Sequence, residues 1–423
     1  MTETNLLTCS LMDQQDPLGT FREAFHLPQR NGETLIYFCG NSLGLQPKIT
    51  EGFIQEELIN WKENAVEGHF KKPNPWTEYH HLSKGTLANI VGAKTSEVVA
   101  MNNLTTNLHL ALASFYRPEG RRRKVLIESG AFPSDFYAVH SQIQLKGFDP
   151  SNDLVQASGE ESSGYLSNEY IVNLIEQLGD ELALVLFPGI QYYTGQFFDL
   201  HKITQAAHNV GSYVGFDLAH AVGNVPMTLH YDEVDFAIWC TYKYLNSGPG
   251  AVGGLFIHEK HASDPHFPRL SGWWGHDEKE RFGMANKINH ISTVDGWQLS
   301  NSNILSHASH LASLSLFEKA GMAALREKSI KLTSYLESLI LNSPVLQNEI
   351  IILTPQNPEE RGCQLSLYLK NHGKSVFNYL ISNGVILDWR EPNVIRVAPT
   401  PFYNSFEDVY QFVQILEKAI HCE

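Results

Sequence analysis

The chain has 423 residues, of which 43% are hydrophobic and 18% charged, and a net charge of −15 from 46 acidic against 31 basic residues. That balance excludes a nucleic-acid surface, which needs clustered Lys and Arg, and no apolar run approaches the roughly 18 residues that span a bilayer. Five scattered cysteines (Cys9, Cys39, Cys240, Cys363, Cys422) form no C-x-x-C pair, and the opening stretch is polar and acidic, so a reducing, cytoplasmic setting and small-molecule partners are expected.

Residues 1–60 read as an N-terminal arm and a helix. An irregular arm leads to the Gly- and Asn-rich turn of "YFCGNSLGLQPK", and 51–66 then space Phe53, Ile54, Leu58 and Trp61 as a helix does. Residues 61–300 read as a large α/β domain. Short apolar runs recur at Val98–Met101, Lys124–Ile127, Leu182–Phe187, Tyr213–Phe216, Phe236–Cys240 and Val252–Ile257, with helical stretches such as 171–178 and 203–209 between most of them. Strands alternating with helices predict a mostly parallel sheet covered on both faces. The basic cluster Arg121–Lys124 before one run reads as a solvated loop. Residues 301–423 read as a smaller α+β domain: helical periodicity over 304–342, strands at 350–353, 364–369, 385–389 and 394–397, and helices at 375–381 and 406–420.

In open parallel sheets ligands bind beyond the carboxyl ends of the strands, and the candidate residues follow the apolar runs. Lys243 stands three residues after the run ending at Cys240, where partial desolvation suits a nucleophile or base. Asp217 ends the run Val214-Gly215-Phe216, either as a helix N-cap or as the partner of a cationic ligand atom. His220 follows it by three residues.

An Asp at one strand end and a Lys at the next suggest pyridoxal phosphate, which needs an imine-forming lysine and a carboxylate to keep its ring nitrogen protonated. Its phosphate needs N–H groups at a helix start. "MNNLTTNLHLALASF" supplies one, with Leu104 and Thr105 as N–H donors and Thr105 or Thr106 as the hydroxyl. Tyr242 and the turn Ser247-Gly248-Pro249-Gly250 could complete that cup. In "ESGAFPSDFYA", Phe132 is placed to stack on the ring or to pack in the core. Asp135 is placed to contact the cofactor or set Asp217, with Ser134 or Asp135 as a helix cap the alternative.

The stretches "YFCGNSLGLQPK", "NNLTTNLHL", "AFPSD", "QYYTGQ", "GFDLAHAVGN", "WCTYKYLNSGPG", "GWWGH", "LSNSNI" and "IRVAPTPFYNS" resemble those of the kynureninases over nearly the whole chain. The resemblance implies the fold-type-I pyridoxal-phosphate architecture of the aspartate-aminotransferase-like transferases. It implies a Schiff base on Lys243, Asp217 paired with the ring nitrogen, and Phe132 stacked on the ring. Leu104, Thr105, Ser134, Asp135, His220 and Tyr242 would contact the cofactor. It further implies a homodimer in which Trp273 and Asn301 reach the site from the partner. Arg396 would take the substrate carboxylate, and Ser42, His69 and Asn301 would surround an aryl ketone. The implied reaction is hydrolytic cleavage of the Cβ–Cγ bond of L-kynurenine or its 3-hydroxy form to an anthranilate and L-alanine, with Lys243, Asp217 and Tyr242 as catalytic residues.

One departure is Pro188, where some relatives carry a hydroxyl that touches the cofactor. An aminotransferase or a cysteine desulfurase would share the cofactor residues, although no cysteine sits in a Gly-rich loop near 300–340. A binding scaffold without activity would have no need of Lys243, Asp217 and Arg396 together. No metal site is expected, because adjacent histidines such as His80-His81 point to different faces of a helix and no H-E-x-x-H spacing occurs.

Overall fold

The computed structural model describes residues 3–159 and 165–421; Cys422 lies outside them. Seven strands form the main sheet: β1 (Val98–Met101), β2 (Lys124–Glu128), β3 (Leu154–Ala157), β4 (Leu182–Pro188), β5 (Tyr213–Asp217), β6 (Phe236–Cys240) and β7 (Gly253–Ile257). Their order is β1-β7-β6-β5-β4-β2-β3. Both faces are covered, so β4, β6 and β7 are buried throughout, as their continuous apolar runs require. All neighbours pair parallel except β7, which runs antiparallel to β1 and β6. The reversal follows from the chain between β6 and β7: it contains no crossover helix, and parallel neighbours need one. That return is where Lys243 sits.

Edge strand β3 escaped the sequence reading because Leu-Val-Gln-Ala is short and only its last residue is buried. The cluster Arg121–Lys124 faces solvent as expected and is ion-paired there: Lys124 and Arg121 meet Glu181, and Arg123 meets Asp153.

Helices that position the site or the cores are α1 (Glu3–Gln14), α2 (Thr50–Asn64), α3 (Leu104–Phe115), α4 (Pro133–Leu145), α5 (Ile304–Ala320), α6 (Met322–Leu341) and α7 (Phe406–His421). The arm expected to be irregular holds helix α1. Its stability is tertiary: Cys9 is buried against the second core, and Asp13 accepts hydrogen bonds from the N–H groups of Phe406 (2.8 Å) and Glu407 (3.0 Å) at the start of α7. The long periodicity of 304–342 divides into α5 and α6 at Gly321, whose φ of 72° breaks the helix.

A second sheet, order β8-β9-β11-β10, is wholly antiparallel and contains β8 (Ile350–Ile352), β9 (Leu365–Leu369), β10 (Asp388–Arg390) and β11 (Val394–Val397). The single strand expected over 385–389 is two: Val385–Ile386 pairs parallel with Ile36–Tyr37, and only Asp388–Arg390 joins the sheet. One core packs around the main sheet and takes in Leu314, Leu316 and Phe317 of α5. Another gathers β8, β9 and β11 with α6, α7, Ile36 and Phe38.

Candidate active site

The carboxyl ends of β2, β4, β5 and β6 open into a cavity of about 250 Å³. Its roof comes from the second sheet (Arg390, Arg396) and from the loop carrying Asn41 and Ser42. Lys243, in the turn after β6, projects into it. Its Nζ lies 2.9 Å from His220 Nε2 and 5.8 Å from the centre of the Phe132 ring. Gly44 makes that turn possible: a Cβ there would stand 2.3 Å from Lys243 O, and its N–H donates to Tyr242 O at 2.8 Å.

Asp217 is not a helix cap. A tight turn, not a helix, follows it, and its Oδ1 accepts from Ala219 N at 2.7 Å. Asp135, at the third position of α4, is buried and turned toward Asp217, with Ser134 Oγ donating to its Oδ1 at 3.2 Å. Phe132 is the residue before that helix, and Tyr192 packs edge-on to its ring at 5.2 Å.

The phosphate-cup expectation resolves at the start of α3. Asn103 Oδ1 caps the helix by accepting from Thr106 N (3.1 Å) and Thr106 Oγ1 (3.0 Å), which takes Thr106 out of contention. Leu104 and Thr105 line the cavity, and their first-turn N–H groups have no intrahelical acceptor. The Ser247–Gly250 turn does not join them. Ser247 Oγ bonds His310 Nδ1 (2.8 Å) instead, and Pro249 and Gly250 are exposed away from the cavity.

Arg396 is fully buried. Its Nη1 donates to Tyr192 O at 2.8 Å, and its Nη2 donates to Asp388 Oδ2, which also accepts from Ser42 Oγ (3.0 Å) and Arg390 Nη2 (3.3 Å). Pro188 ends β4 directly opposite Asp217 and lines the cavity, with no N–H and no hydroxyl to offer.

Three expected residues stand elsewhere in the single chain. His69 is on the surface, its Nδ1 3.0 Å from Val66 O and its ring edge-on to Trp76. Trp273 is half exposed and donates Nε1–H to Arg281 O at 3.2 Å. Asn301 is exposed in a segment without regular structure. The sequence reading missed Glu128, Asn41, Tyr192, Asp388 and Arg390. Glu128 carried a usable signal: it ends an apolar strand at the same sheet edge as Asp217.

Burial and crowding set the protonation states. Burial drives the Asp135 carboxyl far up, and the charges of Asp217 and Glu128 push it further, so Asp135 keeps its proton and can share it with Asp217. Burial raises Glu128 to about 8. Burial also holds His220 well below its ordinary range, aided by Lys243 and Arg396. His220 is therefore neutral, accepts at Nε2 from Lys243, and carries its proton on a buried Nδ1 that has no partner.

An amine, a buried carboxylate, an aromatic ring and a helix start for an anion in one cavity together fit pyridoxal phosphate. The unpartnered His220 Nδ1–H is a further donor that such a group could satisfy. The fold is that of the fold-type-I pyridoxal-phosphate enzymes, and the residues of the site suit that cofactor. The fold is shared with a cysteine desulfurase from Thermococcus onnurineus NA1 (TM-score 0.75, 18% identity, 92% of this chain and 95% of that one). It is also shared with the cysteine desulfurase CsdA of Escherichia coli (TM-score 0.75, 16% identity, 96% and 98%).

Residues 325–416 match the family model of the kynureninase C-terminal domain. The chain is 50% identical over 410 residues to the kynureninase of Flavobacterium psychrophilum, covering 97% of this chain and 96% of that protein. It is 52% identical over 411 residues to that of Xanthomonas campestris pv. campestris, covering 96% of each. The chain belongs to the kynureninase family.

Proposed function

We propose that the chain hydrolyses the Cβ–Cγ bond of L-kynurenine, and of its 3-hydroxy form, to give anthranilate or 3-hydroxyanthranilate and L-alanine. The supporting observation is that Lys243, Asp217, the start of α3 and Arg396 share one cavity, where amine, ring-nitrogen, phosphate and carboxylate partners are all needed at once. Pyridoxal phosphate, when bound, supplies an aldehyde that condenses with amines and a protonated ring that draws electrons away from the substrate's Cα.

Lys243 would carry the cofactor and, once displaced by the substrate amine, take and return the Cα proton at Nζ. Asp217 would hold the proton on the ring nitrogen, with the neutral Asp135 steadying Asp217 by donating to it. Leu104 and Thr105 would hold the phosphate at the helix start, and Phe132 would support the ring face. Arg396 takes the substrate carboxylate, competing with Asp388 for the guanidinium. Tyr242, whose phenol burial keeps protonated beyond its ordinary range, is the proton donor to the departing alanyl carbon.

Trp273 and Asn301 are exposed and His69 is half-buried in the single chain. A homodimer would bring Trp273 and Asn301 to the partner's cavity, and the same arrangement accounts for His69. A cytoplasmic enzyme of tryptophan catabolism, feeding NAD biosynthesis through 3-hydroxyanthranilate, is the setting this reading implies. Among the described residues no helix is long and apolar enough to cross a membrane. Sulfur transfer is not favoured, because no cysteine among the described residues lines the cavity.

The test is to load the purified protein with pyridoxal phosphate, supply each ketone separately, and measure the aryl acid by fluorescence and alanine by an independent assay. Equal release of both products supports the reading. Alanine-free turnover, or conversion only with an added keto acid, would refute it.

A further inference from the structure

Away from the cavity, one histidine pair behaves unlike the others. The segment Trp76–Ser83 is a 3-10 helix, and in it the rings of His80 and His81 converge to 4.0 Å instead of facing apart. His80 has no solvent exposure, yet neither ring nitrogen has a hydrogen-bond partner. A buried polar group left unsatisfied costs about 1–3 kcal/mol, so the site calls for something that the protein's own groups do not supply.

The neighbours of His80 indicate what. His80 Nε2 lies 3.7 Å from Asp295 Oδ1 and 3.9 Å from Glu278 Oε1, and His81 Nε2 lies 3.1 Å from that same Glu278 oxygen. The two longer separations exceed hydrogen bonds. They are close to the edge of a tetrahedron of donors, about 3.3 Å for metal–ligand bonds of about 2.0–2.1 Å. The ligating atoms of His80, His81 and Asp295 all lie within 4.8 Å of one another.

Asp295 is already aimed. Lys84 Nζ and Thr293 Oγ1 (2.8 Å) occupy its Oδ2, while Oδ1 faces His80 and accepts only from Gln298 Nε2 at 3.2 Å. The other candidate group, Glu97, His230 and His258, lacks this character because its donors and acceptors are in use. His258 faces His230 O through Nε2 (3.2 Å) and accepts from Lys260 N at Nδ1 (3.2 Å), while Glu97 accepts from the N–H groups of Lys94 and Glu259 (2.9 Å each).

We propose that His80, His81 and Asp295 bind a divalent cation of the zinc class, with Glu278, beside His81 but outside that mutually close group, closing in as the fourth ligand and so joining the 76–83 turn to the 277–298 segment. Two imidazoles and two carboxylates are a donor set for such an ion. The site is structural, since its ligands lie outside the catalytic cavity.

The test uses the cofactor-loaded enzyme, stripped with a chelator and titrated with Zn²⁺ by calorimetry, and with Co²⁺ for the intense visible bands of four-coordinate geometry. One equivalent per chain is expected, with a rise in thermal midpoint when Zn²⁺ is added. His81→Ala, Glu278→Gln and His80→Ala should each weaken binding about tenfold or more and abolish the midpoint shift. His81 and Glu278 are at the exposed rim, so these variants decide the matter if His80→Ala does not fold. No binding to the wild type, a smaller loss in the two rim variants, or Co²⁺ bands of six-coordinate geometry would overturn the proposal and leave a bound water as the partner of His80.

Discussion

Glu128→Gln isolates the electrostatic cost of the acid cluster beneath the cavity. Glu128 is 3% exposed at the end of β2, and burial, reinforced by the charge of Asp217, carries its carboxyl from 4.5 to about 8. In the unfolded chain it ionises near the ordinary value. Between those limits the folded chain holds a proton that the unfolded chain has lost, so stability falls as pH rises, by up to about 1.36 kcal/mol per pH unit. Over the full interval the loss is about 5 kcal/mol, and it is complete above pH 8. Glutamine has the shape of the protonated acid and no charge to bury. The variant should therefore match the wild type near pH 4.5 and become progressively more stable relative to it up to pH 8. The assay is the urea midpoint of the cofactor-free proteins across that range; removing the Glu128 charge also relieves Asp135, which moves the difference in the same direction. Parallel profiles for the two proteins would show that Glu128 is not a buried proton holder and would refute the reasoning.

Lys243→Ala should lose the visible imine absorbance of the loaded enzyme and all turnover, checked by spectrum and product release. Arg396→Ala should raise KM for kynurenine at least tenfold while leaving cofactor affinity little changed, because its guanidinium is held by Tyr192 O and Asp388 and not by the residues expected to hold the cofactor. Gly254→Ala would put a Cβ 1.9 Å from Trp239 Cε2 in the paired strand, and the forced shift should cost about 1–3 kcal/mol or more by chemical denaturation. For Asp235, burial pushes the carboxyl up, but hydrogen bonds from His208 and His261 and the Lys260 charge outweigh it and hold it far below the ordinary range. Its contribution is present above pH 4 and lost as pH falls through the depressed value. Asp235→Asn should therefore cost about 3–5 kcal/mol at neutral pH, with the gap to the wild type narrowing in acid.

How much of this was legible depends on whether the information was local. β4, β6 and β7 were readable because strands buried on both faces must be continuously apolar, and Lys243 and Asp217 stood out by interrupting that rule at the strand ends. Helix α1 and strand β3 were not readable, since neither carries a strong period. α1 holds because Cys9 is buried in the second core and Asp13 caps α7 across almost the whole length of the chain. The same distinction runs through the site. Residues that each follow a strand at the carboxyl edge of the main sheet (Phe132, Asp135, Asp217, His220, Lys243) were found together. The Asp388–Arg390–Arg396–Ser42 network was found only as the separate residues Arg396 and Ser42. It joins the second sheet to the arm, and no spacing encodes that juxtaposition.

The acid cluster shows why a correct rule can still be applied incompletely. Asp217 was singled out because a carboxylate ending a buried strand needs a partner, and Glu128 meets the same condition two strands away in the sheet. Three buried carboxyls, Glu128, Asp135 and Asp217, now surround a floor whose nearest cation is Lys243. They cannot all ionise, so the fold keeps protons there. Burial raises all three, but the Ala219 N–H, the positive charge of Lys243 and the Asp135 donor pull Asp217 back, and it is the one best able to carry charge. A protonated ring nitrogen placed beside it would meet a single carboxylate backed by neutral acids. That ordering predicts that Asp135→Asn, which keeps a hydrogen-bond donor beside Asp217, retains cofactor affinity within about tenfold. Asp135→Ala removes the donor and should lose more, as measured by equilibrium dialysis of the cofactor; equal losses in both variants would mean that Asp135 does not act by donating to Asp217.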